Sequence, residues 1–350
     1  MVNSPTRREI LISVAAVASG IAAALPARAE ASAPQQPYRV DFHHHVLPPK
    51  WIAAARTHKP DNTWGPELTG WTPQIAIEQM DRHRIAYAVT ELGLPGVWWA
   101  PPAEAAELAR YCNEYVAQMA RDYPGRFGMF ATVPMPYVDE TLEEIQYAFD
   151  VLKADGIGFI TSYGDKWPGD PAFAPVWDEL NRRKAVVHFH PTVPNCCTAL
   201  IPDVLASTEE YVFDTARAIT SLLYSGTLTR HPDMHFIFSH AGGAFLPIAD
   251  RVARLGATRS QKIMARLPNG PNAELKKLYF DIATSVNPTT FGALRSYTSI
   301  DRIVLGTDHP YVPMDYTVTA LDRSGIGAKE LRRINTGNAL ALFPHLKQYL

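Results

Sequence analysis

Tyr38-Arg39-Val40-Asp41-Phe42-His43-His44-His45 is the stretch that decides the fold, a mixed apolar run that ends in three histidines. Its pattern predicts a strand over 38–43 with imidazoles at the carboxyl end. Residues two apart in a strand share a face, so His43 and His45 converge while His44 points away. Asp41 falls on the His43 side, one layer deeper, as a carboxylate behind the imidazoles or a further ligand. Two imidazoles on one face can share a cation. An HxH triplet alone is common, so its weight depends on what the rest of the chain places beside it.

Moving outward, short apolar runs recur at 86–92, 127–133, 156–162, 185–190, 235–240, 278–283 and 302–306. Longer stretches with apolar residues at helical spacing lie between them, at 103–121, 141–153, 178–183, 211–230 and 328–342. Eight strands alternating with helices predict an α/β protein with a parallel sheet closed into a (β/α)8 TIM barrel. A single catalytic domain is expected over 38–350. Two long loops depart from the minimal barrel. One, 50–72, follows the first strand with Trp51, Trp64 and Trp71; the other, 96–102, follows the second with Trp98 and Trp99. These aromatic residues would wall a flat substrate, pack a long loop or meet a second subunit.

With 350 residues, 47% of them hydrophobic, and a formal net charge of −2, the chain can bury a large core and has no clustered basic surface. That argues against a nucleic-acid partner and for small-molecule chemistry. Residues 1–29 read as a targeting segment: Arg7 and Arg8 precede an apolar run, and Ala27-Arg28-Ala29 offers small residues two apart. The arginine pair looks like a twin-arginine export signal. The expectation is a periplasmic or secreted protein with no stable membrane insertion after cleavage, residues 30–37 serving as a linker. Cys112, Cys196 and Cys197 are odd in number, so no disulfide framework is implied.

Other strand ends repeat the chemistry of the first. The fifth delivers His190, with His188 deeper on the same face as a hydrogen-bonded interior histidine. The sixth ends at His240, ahead of Gly242 and Gly243, and the eighth at Asp308, an anionic oxygen donor; Asp281 lies mid-strand and reads as structural. Independent histidines would not end strand after strand at one barrel face. Three imidazoles and a carboxylate suit one divalent ion, Zn²⁺ first, with Mn²⁺ or Fe²⁺ as alternatives. The fourth strand ends without a lysine until Lys166, which argues against a second, bridged metal.

The chain resembles the amidohydrolase superfamily, in the branch of aminocarboxymuconate-semialdehyde decarboxylase and the aromatic-acid decarboxylases. The resemblance rests on DFHHHVLPP at 41–49, HFHP at 188–191, SHAGGAF at 239–245 and LGTDHPY at 305–311, and runs over nearly all of 38–345. The stretch SYGDKWPGDPAFAPVWDELNRR at 162–183 looks most like 6-methylsalicylate decarboxylase-type members. The resemblance implies that His43, His45, His190 and Asp308 hold the metal and that His240, with Asp308, moves the proton. Resorcylate-type members carry an acidic residue where His43 stands. SHAGG also replaces the commoner HGGG, and His309 stands where an aromatic residue is usual.

The function implied is metal-dependent, non-oxidative decarboxylation of a small salicylate-type acid, in a homodimer or homotetramer. Two rivals share the residues: a metal-dependent hydrolase of a lactone, ester or amide, and a periplasmic protein that binds metal or aromatic acids without turnover. Arg251, Arg254 and Arg259 follow the sixth strand, as helix-surface residues or as partners for a substrate carboxylate.

Overall fold

Strand β1 (Arg39–Val46) is buried along its whole length, as a strand covered on both faces must be. The computed structural model describes residues 38–58, 65–198, 200–256 and 260–350. The expected signal segment 1–29 and linker 30–37, and Trp64 and Arg259, lie outside them. Strands β2 (Ile85–Leu92), β3 (Phe127–Thr132), β4 (Gly156–Ile160), β5 (Val186–His190), β6 (His235–Phe238), β7 (Tyr279–Asp281) and β8 (Ile303–Val304) follow in sequence order. Each pairs in parallel with the next. The last meets the first: the Phe42 amide donates to Leu305 O at 2.9 Å and the Asp308 amide to His43 O at 2.7 Å. The sheet is the expected (β/α)8 barrel.

The outer helices form where the apolar spacing predicts them. Pro102–Asp122 starts on a proline whose missing N–H costs nothing there, and buries Ala105, Leu108, Ala109, Cys112 and Val116 on one face. Glu210–Ser225 stops at Gly226, which takes the left-handed conformation (φ 79°) that ends a helix without strain. Within the expected loop 50–72 the described residues are largely helical instead. Pro49–His58 buries Trp51 and Ala55 at i, i+4, and a further turn runs over Pro66–Thr69. The apolar stripe there is only two residues long, too short to register as a period.

The amino-terminal end of the barrel is filled by Val40, Phe42, Tyr87, Val89, Phe130, Val186, Ile237 and Val304, capped by Phe343 and Leu346 from the chain's end. That plug leaves the carboxyl end of the strands as the open face. Among the described residues no helix is long and apolar enough to cross a membrane.

Asp214, on the helix Glu210–Ser225, ties the loop after β4 to the barrel's outer layer. Its buried carboxylate accepts from Thr161 Oγ1 (2.5 Å), Ser162 Oγ (2.8 Å) and Trp167 Nε1 (2.7 Å). Replacing it with alanine leaves three donors without their acceptor, at a cost of about 3 kcal/mol or more. Asp214→Ala should lower the thermal midpoint by about 5 °C; an unchanged melt would show that the clamp adds no stability.

Candidate metal centre

The pairing of β1 with β2 shifts between Asp41, opposite Ala88, and His44, opposite Thr90, so β1 carries one extra residue there. Such a bulge changes the parity of the side chains that follow. Phe42 points inward with Val40, stacked on Phe343 at 5.4 Å, and past the bulge His43 and His45 also face the interior. Asp41 is not beneath the imidazoles, as plain alternation predicts. Its oxygens accept from the amides of His43 (3.1 Å) and Thr307 (3.0 Å), from Thr307 Oγ1 (2.6 Å) and from His44 Nδ1 (3.2 Å). It joins β1 to the exit of β8. His44 turns away from the cluster, its ring 5.1 Å from that of His309.

His43 Nε2 and His45 Nε2 lie 3.2 Å apart. Asp308 Oδ1 is 3.0 Å from His45 Nε2 and 3.4 Å from His43 Nε2. His190 turns its Nδ1–H to the Pro191 carbonyl at 2.8 Å, which directs Nε2 to the other two rings, with centroids 5.2 Å from His43 and 4.9 Å from His45. All four residues expected as ligands thus border the His43–His45 pair. A fifth group, Glu91 at the end of β2, joins His43, His45 and His190 in a buried set whose ligand atoms lie within 4.8 Å of one another. His240 forms another such set with His43 and Asp308.

Asp281 is the hub of the layer beneath. Its Oδ2 accepts from His43 Nδ1 (3.0 Å) and His188 Nε2 (2.8 Å), and its Oδ1 from the amides of His240 (3.0 Å) and Ala283 (2.9 Å). One carboxylate so orients a ring of β1, a ring of β5 and the exits of β6 and β7. Gly306 makes room for it: a Cβ there would stand 2.8 Å from His43 Cβ and 2.9 Å from Asp281 Cγ. His188 bridges Asp281 to Glu91 Oε2, 2.8 Å from its Nδ1. A carboxylate at each nitrogen favours a proton on both, and hence positive charge on the ring. Burial opposes that charge, but Glu91 and Asp281 raise its pKa above the ordinary value. Burial likewise works against charge on His43, which Asp281 and Asp308 nevertheless hold well above its usual range.

The arrangement fits a cation. Nε2 atoms facing each other at 3.2 Å, with the Asp308 carboxylate at 3.0–3.4 Å, come close to the roughly 3.3–3.6 Å edges of a tetrahedron with metal–ligand bonds near 2.1 Å. The second nitrogens of His43 and His190 are spoken for by Asp281 and Pro191, the usual way a metal-binding imidazole is oriented.

A family model described as amidohydrolase matches residues 40–345. The chain belongs to that family. Decarboxylase yanB of Aspergillus niger is 34% identical over 327 residues, 88% of this chain and 88% of that one. The 6-methylsalicylic acid decarboxylase of Penicillium expansum is 33% identical over 324 residues, 89% of this chain and 98% of its own. A crystal structure of 2,6-dihydroxybenzoate decarboxylase with 2,6-dihydroxybenzoate shares the fold at TM-score 0.76 and 22% identity, over 89% of this chain and 99% of that chain.

In this amidohydrolase the strand ends open on a cavity of about 610 Å³, a size suited to a small ligand. His190, His240 and Asp308 form its floor, and Leu68, Leu94, Tyr211 and Tyr311 stand among its walls. His240 (φ 53°), Thr284 (φ 54°) and Asp308 (φ 66°) take left-handed backbone at this floor, strain of the kind that gathers at functional sites. None of the described tryptophans lines this cavity. Trp51 Nε1 and Trp99 Nε1 both donate to Gly96 O, at 2.8 and 3.1 Å, and so fasten the segments after β1 and β2 to each other. Arg251 and Arg254 are likewise not among the described lining residues.

Glu91 escaped the sequence reading. Its signal was a lone charged residue in a mostly apolar strand, in step with Tyr87 and Val89, which face the barrel interior.

Proposed function

We propose that this amidohydrolase is a metal-dependent, non-oxidative decarboxylase of a small aromatic acid with a hydroxyl beside its carboxylate, a salicylate-type acid. The observation that carries this is the cavity floor. His190, His240 and Asp308 face a space whose described lining holds no lysine or arginine, so the metal is the cation for a single substrate carboxylate. The names of the relatives, decarboxylase and 6-methylsalicylic acid decarboxylase, support the same chemistry. Three imidazoles and a carboxylate favour one zinc ion, with manganese the alternative.

Decarboxylating an intact aromatic ring is slow because the departing electron pair has no acceptor. Protonating the ring carbon that bears the carboxylate provides one. The carbon–carbon bond then breaks, its electron pair restores the aromatic ring, and CO2 leaves. A divalent ion held by His43, His45, His190 and Asp308 would supply positive charge to the substrate's carboxylate and so help hold the ring. His240 and Asp308 are the groups placed to move the proton. The Nδ1–H of His240 donates to Ala283 O at 3.1 Å, leaving Nε2 toward the cavity, 3.8 Å from Asp308 Oδ2. Leu68, Leu94, Tyr211 and Tyr311 keep the ring in apolar surroundings.

Incubating metal-loaded protein with 6-methylsalicylate, dihydroxybenzoates and their ring-dicarboxylated counterparts tests this. CO2 and the matching phenol should form from the monocarboxylates. A second carboxylate would be buried without a cation, so those acids should lose at least about tenfold in kcat/KM, or 1.4 kcal/mol. Lactone opening with no CO2 from any acid would make the enzyme a hydrolase.

A further inference from the structure

Glu91 is 3% exposed, and its two oxygens have different fates. Oε2 accepts from His188 Nδ1 at 2.8 Å. Oε1 has no hydrogen-bond partner among the described residues and lies 3.7 Å from His43 Nε2. A buried carboxylate oxygen with no donor is costly unless a positive charge meets it. The geometry of its setting prevents it from turning elsewhere: His188 is held at its other nitrogen by Asp281, also at 2.8 Å, so the Glu91 carboxylate is fixed with Oε1 toward the three imidazoles.

We propose that Glu91 is a further ligand of the metal, an anionic oxygen donor beside Asp308, kept in position by its hydrogen bond with His188. This rests on the reading that His43, His45 and His190 hold a metal. It deepens that reading by changing the coordination number. Three nitrogens and two carboxylate oxygens are more donors than a tetrahedral zinc site uses, and they suit a five- or six-coordinate ion such as Mn²⁺ or Co²⁺. Two carboxylates also balance the charge of a divalent ion before substrate arrives. His188 is a positioning residue here; it touches neither metal nor substrate.

The test is cobalt binding by the whole chain, stripped of metal, in wild type, Glu91→Gln and Glu91→Asp, with affinity read by chelator competition and geometry by the visible spectrum of bound Co²⁺. Glu91→Gln keeps shape and removes charge, and should bind at least about tenfold more weakly, in the range seen when groups around a metal are altered. Its cobalt bands should intensify, because loss of a ligand lowers the coordination number. Wild-type affinity and spectrum in Glu91→Gln overturn the proposal, and so does weaker binding with an unchanged spectrum, which marks a purely structural carboxylate. Should Glu91→Gln fail to fold by circular dichroism, Glu91→Asp decides on the same two readouts, since the shorter side chain withdraws the oxygen. If wild type itself takes up no cobalt while His190→Ala behaves identically, the metal reading fails, and Glu91 with it.

Discussion

His190→Ala should yield a folded protein that neither retains metal nor turns over substrate. His190 sits at the end of β5, its Nδ1–H on the Pro191 carbonyl, with Nε2 presented to His43 and His45. The barrel fixes each strand end, so no neighbour can move in to replace the lost nitrogen. Changes to groups that only support metal ligands lower affinity by about 10–100-fold, and removing a ligand should cost at least the upper figure. Metal analysis after dialysis, beside kcat/KM, checks both halves. Full metal content in the alanine variant would remove His190 from the ligand set, whatever the activity.

The second large effect separates two roles that proximity alone leaves together. His240 shares a close set with His43 and Asp308 and so offers itself as a ligand. Its position argues otherwise: Nε2 stands 3.8 Å from Asp308 Oδ2, on the cavity side, and Nδ1 is held by Ala283 O and Thr284 Oγ1. His240→Gln should therefore lower kcat by about 10²–10⁴, the usual worth of a positioned proton-transfer group, while metal content stays at the wild-type level. Loss of the metal together with activity would make His240 a ligand instead.

Most of the site could be read in the chain. His43, His45, His190, His240 and Asp308 lie toward or just past the carboxyl ends of their strands, and the structure gathers them at one face. Asp281 and Asp41 were visible as residues but not as roles. Asp281 looked like an ordinary strand aspartate, yet besides one bond from the exit of its own strand it receives three from β1, β5 and the exit of β6, from residues 238, 93 and 41 positions away. Asp41 was placed under the imidazoles by simple alternation, and the bulge in β1 removes it. The helix over Pro49–His58 was missed because its buried face amounts to Trp51 and Ala55.

What the chain alone determined is the alternation of buried strands with amphipathic helices and the chemistry carried at the strand ends. Both are local: side-chain period and residue type are written within a few residues of each other. Only tertiary structure decided which carboxylates look at the imidazoles. That depends on the extra residue in β1, on closure of β8 against β1, and on the His188 bridge from Glu91 to Asp281, all set by pairing between distant segments.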